Sequence, residues 1–200
     1  MRVIESQIDV HGSEFKDNRQ AMLTALEDYQ ALEKAVYDKA NSAQEKFHSK
    51  GKLLPRERLA LLLDPGSGFI ELSSLAGYKM HDDRDGSSAG GGIIAGIGYV
   101  AGVRCMLQVN NSAIKGGTIS PAGLEKTLRL QEVARENKLP LITLAESGGA
   151  NLTYATDVFV PGARAFANRQ DFPLTESLRL LSSMAVLPLA VPINRVFPIM

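Results

Sequence analysis

The sequence predicts a mixed α/β fold in which ββα units stack in a spiral, with helices leading into it. Three observations carry this expectation. Two apolar runs, 92–99 and 103–110, flank Ala101-Gly102, a hairpin signal. A helical period follows over 121–137, with Leu124, Leu128, Leu130 and Val133 supplying an apolar face. Residues 139–144 then form a short apolar run that reads as a buried strand. The order strand, strand, helix, strand suits a spiral better than a doubly wound sheet.

The elements before the hairpin are also legible. Residues 14–49 are charged, alanine-rich and free of proline, and Leu23, Leu26, Tyr29, Leu32 and Val36 recur at helical spacing. One long amphipathic helix is expected, stopped at Gly51. Pro55 suits the first turn of a second helix over 56–63. Asp64-Pro65-Gly66-Ser67-Gly68 is a turn cluster, and 69–72 reads as a short strand. Residues 81–88 and 111–120 are expected as loops. His81-Asp82-Asp83 reads as solvated loop rather than metal site, because no second ligand cluster accompanies it. Gly90-Gly91-Gly92 precedes a strand instead of a helix, the wrong context for a dinucleotide fingerprint.

The chain has 200 residues, enough for one domain with a full core. Its 22 basic and 22 acidic side chains balance, which points away from a nucleic-acid surface. The single cysteine, Cys105, excludes an internal disulfide and fits a reducing compartment; in an apolar run it reads as a small buried side chain. The first residues lack the apolar core of a secretory signal, and Glu5 and Asp9 argue against a mitochondrial presequence. No apolar run reaches the length of a membrane span. A cytoplasmic location, with no membrane or nucleic-acid partner, is expected.

The stretch 139–151, L-P-L-I-T-L-A-E-S-G-G-A-N, carries the most chemistry. Two consecutive glycines after a buried strand leave backbone N–H groups unshielded by side chains. Aimed one way, they can hold a developing oxyanion. A plain strand-to-loop turn is the alternative reading. Ser147 lacks the glycine two positions earlier that a nucleophile elbow requires.

Five strings in order then form a recognisable set: G-K-L-L-P-R-E-R-L at 51–59, L-D-P-G-S-G-F-I-E-L at 63–72, A-G-G-G-I-I-A-G-I-G at 89–98, I-K-G-G-T-I-S-P at 114–121 and L-A-E-S-G-G-A-N-L at 144–152. Together they resemble the carboxyltransferase (β) subunit of biotin-dependent acyl-CoA carboxylases, closest to the methylcrotonyl-CoA and geranyl-CoA branch, with propionyl-CoA enzymes as relatives. The resemblance runs from about Val3 to Asn168. It implies a crotonase-like ββα spiral, of which 66–168 would be part of the N-domain and 1–65 a helical lead-in. It implies a ligase-type activity in which CO₂ passes from carboxybiotin to an acyl-CoA. Biotin would ride on a partner α subunit bearing biotin carboxylase and carrier, and β subunits would form a homo-oligomer. Gly148 and Gly149 would stabilise the thioester enolate through their amides. Lys115, Gly116, Gly117, Ser147 and Ala150 would bind substrate, Lys115 either meeting a phosphate or standing as a solvated loop lysine. No metal is implied. Such chemistry needs no side-chain nucleophile, since binding, orientation and oxyanion donors suffice.

The pattern stops after Phe166-Ala167-Asn168, where the family continues to a second glycine turn, G-S-x-T-A-G-G-A-Y. Read from the third base of the Met184 codon, 184–195 permits G-S-S-T-A-G-G-A-Y-Q-P. A one-base deletion near Asn168/Arg169 is therefore expected, with 169–200 an aberrant, out-of-frame tail. Two other functions stay open: a non-catalytic or misfolded CoA-binding remnant, and a small crotonase-like hydratase or hydrolase using Glu146 or Ser147.

Overall fold

The computed structural model describes residues 6–168 and 181–182. The out-of-frame reading of 169–200 lies outside the described residues, apart from that pair.

Helix α1 spans Ser13–Asn41 and is followed by a separate short helix, α2, Gln44–His48. The single helix expected over 14–49 is thus broken at Ser42-Ala43. The Ser42 hydroxyl donates to the Lys39 carbonyl at 2.7 Å, competing for the acceptor that the next helical amide would use. Ala43 N–H turns to Ala40 O instead. The C-terminal part of α1 carries its buried side chains, Val36 and Ala40 against Ala89 and Ile114, and Tyr29 and Glu33 further up the helix hydrogen-bond with Ser74. Leu26, Tyr29 and Leu32, expected on the apolar face, are exposed.

Helix α3, Pro55–Leu62, begins at its proline as expected, and Glu57 reaches back to accept from Leu54 N–H at 2.7 Å. Strand β1 is Ile70–Glu71. Strands β2, Ile93–Val100, and β3, Val103–Asn110, pair antiparallel across Ala101-Gly102. Both turn residues have positive φ, 51° and 76°, the geometry of a two-residue type I′ hairpin. The Asp64 carboxylate accepts from both of their amides at 2.7 Å, which holds the left-handed Ala101 in place.

Helix α4, Pro121–Glu136, starts behind Ser120, whose Oγ accepts from Gly123 N–H at 3.1 Å. It crosses over to β4, Leu141–Leu144, which lies parallel to β3. Helix α5, Ala155–Ala167, follows, and β5, Leu181–Ser182, pairs parallel with β4. The sheet order is β1-β2-β3-β4-β5, so the strand, strand, helix, strand unit appears as expected.

Both faces of the hairpin are covered, and its strands are accordingly apolar almost throughout. On one face Ile94, Cys105, Leu107, Val109 and Ile142 pack with Leu59 of α3. On the other, Ile93, Ala95 and Met106 pack with Leu130 and Ala134 of α4. Burying one such side chain stabilises the fold by about 1.5–3 kcal/mol. Cys105 is fully buried, as expected, and burial pushes its thiol pKa up. Strand β4 is less enclosed than its apolar sequence suggested. Of its four residues Ile142 is buried, and Leu141, Thr143 and Leu144 are half-buried.

Helix α5 was not legible in the sequence. Pro161 and Gly162 fall inside it, and proline removes an intrahelical hydrogen bond. Packing decides the matter: Val158 and Ala165 bury against Leu124 of α4, and Gln131 Nε2 donates to Ala165 O at 2.9 Å. Among the described residues no helix is long and apolar enough to cross a membrane.

Candidate functional site

Parallel pairing of β3 and β4 places their C-terminal ends side by side. The loops that leave those ends therefore meet, although they lie far apart in the chain. The first carries Lys115-Gly116-Gly117 and the second Glu146-Ser147-Gly148-Gly149-Ala150.

The two loops are joined by backbone and hydroxyl bonds. Gly148 N–H donates to Gly116 O at 2.9 Å, and Ser147 Oγ donates to Gly117 O at 3.0 Å. Gly149 N–H donates to Ser147 Oγ at 3.0 Å. Beyond them, Ile119 N–H donates to Gly149 O at 2.8 Å, and Ala150 forms a parallel bridge with Ile119. Lys115, Gly116 and Gly117 all have positive φ, a tight left-handed turn. At Gly117 the need for glycine is also steric, since a Cβ there would stand 2.5 Å from the Glu146 carbonyl oxygen. At Gly149, φ is 96° and, among the described residues, nothing lies within 4 Å of where a Cβ would stand, so the need for glycine there is conformational rather than steric.

The charged side chains are already paired. Glu146 accepts from Lys52 Nζ on one oxygen and from an Arg58 guanidinium nitrogen on the other, each at 3.1 Å. Lys115 Nζ pairs with Asp82 at 2.7 Å, and this hydrogen bond holds the Asp82 carboxyl below the usual carboxylate range. The His81 ring meets Tyr154 edge-on at 5.0 Å, and the buried Asp83 carboxylate accepts from the Lys79 and Ser88 amides. Among the described residues no group of His, Cys, Asp or Glu is arranged to hold a metal ion.

A small cleft adjoins the joined loops, lined by Gly91, Gly92, Lys115, Thr118, Ser120 and Asn151. Gly148 and Gly149 are not part of its lining. Behind it, Lys126 of α4 is buried, and its amine donates to Ile93 O at 2.7 Å and Gly90 O at 3.3 Å. Burial pushes the Lys126 pKa down to about 8. Sequence reasoning missed Lys126 because it reads as one charge on an amphipathic helix. It missed the pairing of Lys52 and Arg58 with Glu146 because nothing local signals a contact so distant in the chain.

Residues 46–170 match the model of the carboxyl transferase domain family. The chain belongs to that family. This carboxyl transferase chain is 64% identical to the β subunit of geranyl-CoA carboxylase from P. aeruginosa, whose crystal structure it matches with a TM-score of 0.76 over 84% of this chain and 31% of that one. It is 44% identical over 158 residues to the methylcrotonoyl-CoA carboxylase β chain of Dictyostelium discoideum, covering 78% of this chain and 26% of that protein. It is 50% identical over 117 residues to the biotin-dependent 3-methylcrotonyl-coenzyme A carboxylase β1 subunit of Mycobacterium tuberculosis, covering 58% and 22%. The transcarboxylase 12S hexamer shares the fold, with a TM-score of 0.65 at 23% identity over 74% of this chain. The carboxyl transferase chain thus spans about a quarter of the length of the curated relatives it matches. The fold is that of carboxyltransferase β subunits, a crotonase-like α/β architecture.

Proposed function

We propose that this chain supplies the acyl-CoA side of a carboxyltransferase subunit in a biotin-dependent acyl-CoA carboxylase. The observation that carries the reading is the junction of the Lys115-Gly116-Gly117 and Ser147-Gly148-Gly149 loops in a chain of this family. Carboxybiotin, held on a partner α subunit, would supply the CO₂ at such a site. The Gly149 amide is the donor available to a thioester oxygen, because among the described residues its partner is the Ser147 hydroxyl, which can turn aside. The Gly148 amide is tied to the Gly116 carbonyl and would act by fixing the loop. Lys115, Gly116, Gly117, Ser147 and Ala150 would form the wall on which the thioester end rests, and Lys115 would have to leave Asp82 to meet a phosphate.

A hydratase or hydrolase using Glu146 or Ser147 finds less support. The Glu146 carboxylate is occupied on both oxygens by cations, and Ser147 donates its proton to a carbonyl rather than to a base. The biotin partner, the β-subunit oligomer and the choice of acyl-CoA belong to the whole enzyme, of which this chain is a part. Residues 66–168 would be part of its N-domain, and the 200-residue chain alone would be inactive.

The test is Gly149→Val in a β subunit completed through the second glycine turn. Carboxyl transfer should fall on the order of a hundredfold or more, while CoA-affinity capture persists. Equal loss of capture and turnover would show the glycines to be structural.

A further inference from the structure

We infer that Lys52 and Arg58 are positioning residues of the glycine loop, gripping Glu146 by its two carboxylate oxygens and through it fixing Ser147-Gly148-Gly149. That the loop serves acyl-CoA rests on the proposed function; the grip itself does not. Both cations rise from a rigid base. Leu54 and Leu59 are buried, and Glu57 fastens the start of α3. Their two 3.1 Å contacts fix the Glu146 side chain on its outer side. On the inner side the Glu146 carbonyl lies so close to Gly117 that a Cβ there would stand 2.5 Å away. At the same turn, the Gly116 and Gly117 carbonyls accept from Gly148 N–H and Ser147 Oγ. Glu146 is therefore held at both ends, and a release of its side chain is transmitted to both loops.

Magnitudes separate this role from general stability. The three side chains are 27–40% exposed, and each such ion pair shifts an equilibrium by no more than about fivefold. Global unfolding is weakened by the same factor, but it is a far rarer event than opening of a short loop, so over short labelling times the loss is read at the loop.

Hydrogen–deuterium exchange on the 200-residue chain tests the inference. In Lys52→Ala/Arg58→Ala, amides in a peptide covering 146–149 should exchange about tenfold faster or more, while peptides from β2 and β3 stay protected over the same short labelling times. Lys52→Arg/Arg58→Lys should retain the wild-type pattern, and molar salt should speed the same peptide in the wild type. Unchanged protection at 146–149, an equal rise across β2 and β3, or no rescue by the charge-conserving variant would each overturn the inference. Absence of acyl-CoA turnover in the completed enzyme would instead count against the proposed function and leave this exchange pattern intact.

Discussion

Gly91 and Gly123 meet backbone to backbone. A Cβ on Gly123 would stand 2.1 Å from the Gly91 carbonyl oxygen, and one on Gly91 would stand 2.5 Å from Gly123 Cα. This contact lets the first turn of α4 lie directly on the triple-glycine turn that lines the cleft.

Gly123→Ala should therefore destabilise the chain by about 1–3 kcal/mol, since overpacking outweighs the roughly 1 kcal/mol that alanine gains in a helix. Gly162, inside α5, has nothing within 4 Å of its Cβ position among the described residues. Gly162→Ala should stabilise by about 0.5–1 kcal/mol. Urea unfolding of the two variants beside wild type gives opposite signs if the contact is as described.

Gly116 and Gly117 offer a second contrast. Both are left-handed, at φ 64° and 68°, but only Gly117 faces an obstacle, the Glu146 carbonyl oxygen. Gly116→Ala should cost about 1–2 kcal/mol from backbone strain alone. Gly117→Ala should cost at least about 1 kcal/mol more, because the two loops must also separate. Equal unfolding midpoints would mean that the loops yield without resistance.

Lys126 predicts the shape of the pH–stability curve. The unfolded chain holds the proton to about 10.5, the folded chain only to about 8, chiefly because the amine is buried, with Arg56 adding to the effect and Glu71 opposing it. Between those values the unfolded state binds more protons, so this group makes stability rise with pH. Below about pH 8 the penalty is fully present, on the order of 3 kcal/mol. Chemical unfolding from pH 7 to 10 should show the rise in wild type and a flatter curve in Lys126→Met. Parallel curves would mean that the charged amine is well solvated in the fold.

One inserted base near codon 169 should open a reading frame that encodes the second glycine turn, G-S-S-T-A-G-G-A-Y, and runs well beyond codon 200. Sequencing the gene across codons 160–200 and downstream decides it, and an early stop in the restored frame would sink the idea.

What the sequence determined by itself is local. Pro55 and Pro121 mark helix starts because proline's fixed φ suits a first turn and lacks only an amide that has no partner there. Ala101-Gly102 marks the hairpin because the turn demands positive φ at both positions. The ordered glycine strings identified the family, and many of their glycines answer a local backbone need, such as the positive φ at Gly90, Gly91, Gly92, Gly116 and Gly117. The tertiary structure alone decided which distant residues share a site. Side-by-side parallel strands bring Gly116 to Gly148, and no property of either loop encodes that neighbour. Packing on α4 makes a helix of 155–167 despite Pro161, since the burial of Val158 and Ala165 outweighs a local preference. The burial of Lys126 and the double pairing of Glu146 arise in the same way. A charge has the same side chain in solvent or in a core, and only the surrounding fold fixes its partners and its proton.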